Sequence, residues 1–207
     1  MRVFNAKQFK ESVSEPQPSN VYLTFGRSIS WSDENDPPQA NTGVASFYEM
    51  WNNMIGGKKI TGNDIRHIVP RFNWTTDTVY SQYDDLTDSL VLKSDTNQFY
   101  VLTDDWNVYK CISNNYGAPS TSKPTSISTT TDFQTEDGYI WKYMYTISDE
   151  EKLRYVSDSY FPVKALTVND GSMQWKVQNN AINGAIHNIL VTNPGSGYTS
   201  NNITVTI

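Results

Sequence analysis

Charged residues and histidines are scarce in this chain of 207 residues. Asp, Glu, Lys and Arg together make up 18% of it, and there are two histidines. The formal net charge is -6, and the densest basic run is the pair Lys58-Lys59. A surface that follows nucleic-acid phosphates needs clustered lysine and arginine, so we expect no nucleic-acid partner.

Cysteine and long apolar runs are also scarce. Cys111 is the single cysteine, so no disulfide forms within the chain, and its strand-like surroundings favour a buried thiol over a reactive one. No apolar run approaches the roughly 20 residues needed to cross a bilayer. The N-terminus has no apolar core of a secretory signal. We therefore expect no membrane partner and a chain that is soluble when it is made.

Aromatic and small polar residues are abundant instead. The chain has 13 tyrosines and 6 tryptophans, and 13% of its residues are aromatic. Aromatic and β-branched side chains fit pleated sheets, whereas Asn, Ser and Gly favour the turns between strands. This composition predicts a mainly β fold.

The first part of the chain predicts one strand and two short helices. Residues 21–25 alternate in polarity and read as a strand. An apolar helical stripe follows, formed by Phe47, Met50, Trp51 and Met54. Ser46 with Glu49 matches a capping box at its start, and Gly56-Gly57 is expected to end it. A second short helix is expected over residues 63–68.

The middle of the chain predicts strands. They cover residues 89–93, 98–103 and 107–113, and the turn Asp104-Asp105-Trp106 joins the last two into a hairpin. The Ser, Thr and Pro tract over residues 118–131 predicts an exposed loop. Ser148 with Glu151 matches another capping box and predicts a brief helix.

Residues 137–147 form the clearest strand pattern. Its large side chains on one face are Tyr139, Trp141, Tyr143, Tyr145 and Ile147. Such a face needs a covering layer, either the core of the same chain or another subunit.

The C-terminal part changes in character. A strand over 185–192, a Gly-rich turn over 193–197 and a strand over 202–207 are expected, and the last strand has no closing element. We expect the sequence to continue beyond Ile207. The expected division is a β-rich domain over 1–165 and the start of a Gly-rich β-repeat region over 166–207.

The residues that usually carry catalysis are few and dispersed. His67 and His187 lie far apart and have no ligand-like spacing, so no metal site is predicted. The acid pairs Asp84-Asp85, Asp104-Asp105 and Glu136-Asp137 all fall at predicted turns, where they are expected to be solvated. No catalytic, cofactor or metal residue is assigned.

Two loops combine aromatic residues with arginine. Phe25, Arg27 and Trp31 lie in the first, and Arg71 and Trp74 lie in the second. Trp, Tyr and Arg dominate interface hot spots, so these loops are candidate subunit contacts. The alternative is that they pack on their own domain.

Five short segments in one order carry a family resemblance. They are Tyr22-Leu23-Thr24-Phe25-Gly26-Arg27-Ser28 with Trp31-Ser32, Met50-Trp51 with Met54, Val69-Pro70-Arg71 with Trp74, Val108-Tyr109-Lys110-Cys111, and Asp137-Gly138-Tyr139-Ile140-Trp141-Lys142-Tyr143. In order and spacing they resemble the baseplate wedge subunit encoded by gene eight of T-even-type myophages, across residues 15–150. Residues 191–199 are similar instead to a β-repeat of phage structural proteins, including those of cyanophages.

The resemblance implies a mainly β homodimer with a β-sandwich-like core, two or three short helices and long loops. It implies a mechanical function without catalysis or cofactor, holding other baseplate wedge proteins together in the virion tail after assembly in the host cytoplasm. The candidate subunit-contact or motif residues are Phe25, Arg27, Trp31, Arg71, Trp74, Tyr139, Trp141 and Tyr143.

Two other functions remain open from the sequence. A carbohydrate-binding β-module is one, because exposed Trp and Tyr rings stack on sugars, with Trp106 and Trp141 as candidates. A glycan-degrading enzyme is the other, with Asp104 or Asp137 as its acid.

Overall fold

The chain forms a mainly β protein, as its composition predicts, and short helices accompany the strands. A computed structural model describes residues 2–15, 20–39, 41–86, 98–186, 189 and 195–197. The chain divides into two compact units, Met1–His67 and Ile68–Ile207. Within the described residues, eight strands form three sheets, and four α-helices accompany them.

The first unit is built on one two-stranded ribbon. In chain order its elements are helix α1 (Arg2–Ser14), strand β1 (Tyr22–Gly26), helix α2 (Val44–Asn52), strand β2 (Met54–Lys59) and a 3-10 turn (Gly62–Asp64). Strands β1 and β2 pair antiparallel, with Phe25 opposite Gly56. The predicted strand is confirmed, whereas helix α1 was not anticipated.

Two helix predictions in this unit are wrong in detail. Helix α2 begins after Gly43, so Ser46 lies inside it, and it ends at Asn52. Gly56-Gly57 is not a helix stop but part of β2, where the Phe25 ring lies so close over Gly56 that an added Cβ would be 3.0 Å from Phe25 Cζ. Pairing with β1 therefore decides the structure of this segment.

The second predicted helix is a single 3-10 turn. Its capping group is Asp64, whose carboxylate accepts hydrogen bonds of 2.9 Å from both the amide and the hydroxyl of Thr61. The chain then continues as strand β3 (His67–Pro70) instead of extending the helix to residue 68.

The second unit is organised by a four-stranded sheet. The remaining elements are β4 (Tyr100–Leu102), β5 (Asn107–Ser113), β6 (Phe133–Gln134), β7 (Ile140–Thr146), α3 (Asp149–Tyr155), β8 (Tyr160–Val163) and α4 (Met173–Asn179). The sheet order is β4-β5-β7-β6, and β3 pairs with β8. The predicted hairpin of β4 and β5 is confirmed. The Ser148 capping box is also confirmed, since Glu151 N–H donates to Ser148 Oγ over 3.3 Å.

The sheet is buried on both faces by two clusters. The first comprises Tyr80, Val101, Tyr109, Cys111, Tyr139, Trp141, Tyr143 and Val177. The second comprises Phe72, Tyr100, Leu102, Val108, Ile147 and Phe161, with Met144 and Tyr145 packed against it. Burial on both faces of strand β5 explains its nearly continuous buried pattern.

A β-bulge corrects the predicted alternation of strand β7. Val108 pairs with Tyr145 and Tyr109 pairs with Tyr143, so Met144 is an extra residue in the ladder. A bulge turns the side chains beyond it to the other face. Tyr145 and Ile147 therefore pack on the second cluster, and only Tyr139, Trp141 and Tyr143 share the first.

The tract over residues 118–131 is irregular, as predicted, but it is not uniformly exposed. Ser120 and Pro124 are fully buried. The expected strand over 89–93, most of that over 185–192 and all of that over 202–207 lie outside the described residues. The expected boundary between residues 165 and 166 stays a prediction.

Candidate interaction surfaces

Large apolar side chains of the first unit face solvent. Every residue of β1 is exposed, and α2 has no buried residue. Phe25 is 63% exposed and Trp51 is 55% exposed. The other exposed large side chains of α2, β1 and β2 are Tyr22, Leu23, Val44, Phe47, Tyr48, Met50 and Ile55. We call these nine residues the aromatic face. Exposed apolar side chains in such numbers are typical of a protein-contact surface.

Local contacts order parts of this face. Phe47 lies edge-on to Trp51, with ring centroids 6.1 Å apart. In the loop after β1, the Arg27 guanidinium lies 4.6 Å from the Trp31 ring centroid. The structure thus brings Arg27 and Trp31 together, while the Phe25 ring lies over Gly56 of the ribbon and remains 63% exposed.

Three of the candidate contact residues lie inside the second unit. Tyr139, Trp141 and Tyr143 are 0%, 0% and 1% exposed, and their rings form the first cluster. Tyr139 stacks on Trp141 at a centroid distance of 5.5 Å. The strand pattern predicted that either the same chain or another subunit covers this face, and the structure shows that the same chain covers it. Trp141 is therefore not available to stack on a sugar.

Arg71 and Trp74 line a pocket of about 380 Å³ in the second unit. The other lining residues are Asn73, Leu102, Thr103, Asp104 and Trp106. The backbone after β3 forms this wall because it runs along strand β4: Leu102 N–H donates to Phe72 O over 2.7 Å, and Trp74 N–H donates to Leu102 O over 2.8 Å. We call this the Arg71 pocket.

The aromatic walls of the pocket are held in place. Trp74 Nε1 donates to Ser120 Oγ over 3.2 Å. Trp106 has a left-handed backbone (φ 62°), a conformation that bulky residues rarely adopt. Its ring lies under Lys152, whose Nζ is 4.9 Å from the ring centroid, and Arg71, whose Cζ is 5.6 Å away. This conformation closes the three-residue β4–β5 hairpin loop, in which Trp106 N–H donates to Thr103 O over 3.0 Å.

The Arg71 guanidinium is fixed by three neighbours. Its Nε donates to Asn73 Oδ1 over 2.9 Å, and its Nη1 donates to Ser157 O over 3.1 Å. The Trp106 ring is the third neighbour. Among the residues that the structure describes, Arg71 has no carboxylate partner.

The two acids considered for a glycan-degrading enzyme, Asp137 and Asp104, both have lowered pKa values. Asp137 accepts hydrogen bonds from Ser120 Oγ, Thr121 N and Ser122 N at 2.8–2.9 Å, and from Thr135 Oγ1. Burial by itself raises the pKa of the Asp137 carboxyl, but these hydrogen bonds outweigh burial and hold it below its ordinary value. A general acid at neutral pH needs a raised pKa instead.

Asp104 is ionised for a different reason. Lys123 Nζ donates to Asp104 Oδ1 over 2.7 Å and to Asp105 Oδ2 over 2.9 Å. The hydrogen bond from Lys123 lowers the pKa of Asp104. This carboxylate is therefore also unsuited to act as a general acid.

Cys111 is confirmed as a buried thiol. It is 0% exposed, and burial raises its pKa to about 12. His67 is partly buried in β3, and burial together with nearby Lys10 lowers its pKa. His187 lies outside the described residues. Within the described ranges, no three His, Cys, Asp or Glu side chains are grouped to hold a metal ion. No described helix has both the length and the apolarity to span a membrane.

Sequence reasoning missed part of both surfaces. It singled out Phe25 but not the exposed residues of α2, because their helical stripe resembled a core-facing one. It paired Arg71 with Trp74 but not with Trp106, since residues distant in the chain give no local signal of contact. The sequence feature that could have pointed to Trp106 was its position in a tight hairpin turn, which is unusual for a tryptophan.

A family model and a curated protein match this chain, and both point to the same family. The chain is 24% identical, over 186 residues, to the baseplate wedge protein gp8 of Enterobacteria phage T4. That match covers 72% of this chain and 54% of the relative, so the chain spans about half the length of the curated relative it matches. The model of the family described as Bacteriophage T4, Gp8 matches residues 1–133, which is more than half of the chain. The chain therefore belongs to the bacteriophage T4 Gp8 family.

Proposed function

We propose that this chain is a structural component of a contractile phage tail baseplate wedge. Its function is to hold other wedge proteins together by protein-protein contacts, without catalysis or cofactor. Support comes from membership of the Gp8 family and from the name of its relative, a baseplate wedge protein.

The aromatic face is the observation that carries this proposal. It lies entirely within residues 1–133, which the family model matches. A two-stranded ribbon is at best marginally stable alone in water. A helix with a fully exposed apolar stripe likewise gains little from packing. Both elements would be stabilised by a covering subunit.

The proposal extends to assembly state and location. We propose that the chain forms a homodimer, joins other wedge proteins, and resides in the virion tail baseplate after assembly in the host cytoplasm. A cyanophage-type origin rests on residues 191–199 and stays a prediction. No nucleic-acid or membrane partner is proposed.

Assembly with wedge partners tests the proposal. The chain is co-expressed with the other wedge proteins of its phage, and masses are measured by size-exclusion chromatography with light scattering. We expect the chain alone to have twice the mass of a single chain in solution. Mixed with the other wedge proteins, it should form a larger complex. A strict monomer that joins no complex would contradict the proposal.

Paired variants locate the contact. Phe25→Ser with Trp51→Ser should weaken assembly, because both side chains leave water when a partner covers them. Leu153→Ser with Ile127→Ser is the matched control, since those side chains are also exposed but belong to the second unit. If both double variants lose assembly to the same extent, the aromatic face has no specific role in wedge contacts.

A further inference from the structure

We propose that the Arg71 pocket is a binding site for an acidic side chain, aspartate or glutamate, presented by a neighbouring baseplate wedge protein. The inference rests on the proposed function, since it assigns the partner to the wedge. It goes further in naming a site in the second unit, apart from the aromatic face, and the chemistry that the site recognises.

The unused donors of Arg71 indicate an anionic ligand. Its Nε and Nη1 each make one bond, to Asn73 and Ser157, and the guanidinium has further N–H donors at Nη1 and Nη2. The described residues supply no carboxylate to them. The planar fork of arginine matches a carboxylate in two parallel hydrogen bonds, which is the arrangement that selects arginine over lysine.

The guanidinium is already oriented for such a ligand. Asn73 and Ser157 hold two of its nitrogens, and the Trp106 ring lies 5.6 Å from its Cζ. A prearranged donor loses little conformational freedom on binding, so more of the interaction free energy remains as affinity.

Other charges near the pocket have their own partners. Asp104, on the rim, accepts from Lys123, which also binds Asp105. Lys152, above Trp106, binds Asp149 over 2.8 Å. Asp104 and Asp105 share the one positive charge of Lys123, so this part of the rim keeps a net charge of -1, and the attraction of a carboxylate to the pocket depends on Arg71.

The size and walls of the pocket favour a side chain over a larger element. A volume of about 380 Å³ is at the small end of ligand sites and holds one or two side chains, not a helix. Trp74, Trp106 and Leu102 provide apolar walls against which the methylene groups of such a side chain can pack. Arginine beside tryptophan is also the composition of interface hot spots.

Blocked dipeptides test the chemistry on the full chain. N-acetyl-Leu-Glu-amide and N-acetyl-Leu-Gln-amide are titrated while the indole N–H signals of Trp74 and Trp106 are followed by NMR. We expect the Glu probe to cause saturable chemical-shift changes. The Gln probe should bind at least about tenfold more weakly than the Glu probe. Equal binding of both probes, or no shift with either, would overturn the inference.

Variants connect the pocket to Arg71. Arg71→Gln should remove the preference for Glu over Gln. Arg71→Lys keeps the charge but loses the fork, and should retain only part of the preference. Arg154→Gln is the matched control, because Arg154 loses the same charge on exposed helix α3. If Arg71→Gln fails to fold, Arg71→Lys decides: wild-type discrimination in that variant would overturn the proposed fork.

Wedge assembly separates this inference from the proposed function. If the wild-type chain joins no wedge complex, the proposed function fails, and the partner assigned here fails with it. If wild type, Arg71→Gln and Arg154→Gln all join equally, only this inference fails. We expect Arg71→Gln alone to bind the wedge proteins about tenfold or more weakly. If the pocket binds the Glu probe but Arg71→Gln binds the wedge proteins as tightly as wild type does, the pocket binds carboxylates without taking part in wedge assembly. That result would overturn the assignment of a wedge partner.

Discussion

The Ser120 hydroxyl donates a 2.9 Å hydrogen bond to the Asp137 carboxylate, 17 positions away in sequence. The same hydroxyl oxygen accepts from Trp74 Nε1 over 3.2 Å. Ser120 thereby links a wall of the Arg71 pocket to the turn before strand β7. A serine in a low-complexity tract is thus a fully buried structural residue.

Asp137→Asn should destabilise the second unit. Both carboxylate oxygens accept hydrogen bonds: Oδ2 accepts from Ser120, Thr121 and Ser122, and Oδ1 accepts from Thr135 and Tyr139. In either orientation, the amide nitrogen of Asn replaces one of these acceptors and leaves its donors without a partner. We expect the free energy of unfolding, measured by urea denaturation, to fall by about 1–3 kcal/mol. Glu136→Gln is the control, because Glu136 is exposed, and it should change stability by less than about 0.5 kcal/mol. Equal effects of the two would show that the carboxylate is dispensable.

The stability of the chain should fall in acid. The pKa of Asp137 is lower in the folded state than in the unfolded chain, so its contribution is complete above the unfolded pKa of about 3.9 and is lost as pH falls through the folded pKa. Asp170 acts in the same direction. Its pKa is lowered to about 2, and the hydrogen bond from the Ser172 side chain is the largest cause. Urea unfolding at a series of pH values from 7 to 2 should therefore show less decline for Asp137→Asn than for wild type. Parallel curves would refute this.

Cys111 should resist thiol reagents in the folded protein. Burial raises its pKa to about 12, so the thiolate that reacts is nearly absent at pH 8. We expect labelling by Ellman's reagent to be slow and to accelerate in urea at the rate of unfolding. Leu153→Cys in a Cys111→Ala background provides an exposed thiol for comparison, since Leu153 is 89% exposed. Rapid native labelling of Cys111 would mean that the first cluster opens readily.

Gly26→Ala should disrupt the ribbon of the first unit. A Cβ at this position would lie 2.3 Å from the Asn53 carbonyl oxygen, a backbone atom with little room to move. We expect a loss of about 1–3 kcal/mol in the stability of β1 and β2, measured by amide hydrogen exchange. Gly57→Ala is the control, because its nearest neighbour is the Thr24 methyl group at 3.3 Å. If Gly26→Ala exchanges as slowly as Gly57→Ala, the close approach is not a constraint.

Local patterns predicted much of the second unit. The hairpin of β4 and β5, the strand β7 and the Ser148 cap all follow from interactions between residues close in sequence. The family could also be inferred, because its motifs are ordered along the chain. These features depend on periodicity and capping chemistry, which a sequence displays directly.

Features that depend on distant partners were not predictable. Gly56-Gly57 reads as a helix stop until β1 is placed beside it. Tyr145 reads as a partner of Tyr143 until the bulge against β5 turns it to the other face. The Arg71 pocket requires Trp74 and Trp106 to meet, which depends on the backbone after β3 lying along β4.

The sequence by itself determined the mainly β character, the positions of strands β1, β4, β5 and β7, and the family, because each is set by residue type and spacing along the chain. Only the tertiary structure decided which aromatic residues are core and which are surface. The same ring chemistry is buried at Trp141 and exposed at Trp51. The difference arises because burial depends on which elements pack against a side chain, and that packing joins residues far apart in the sequence.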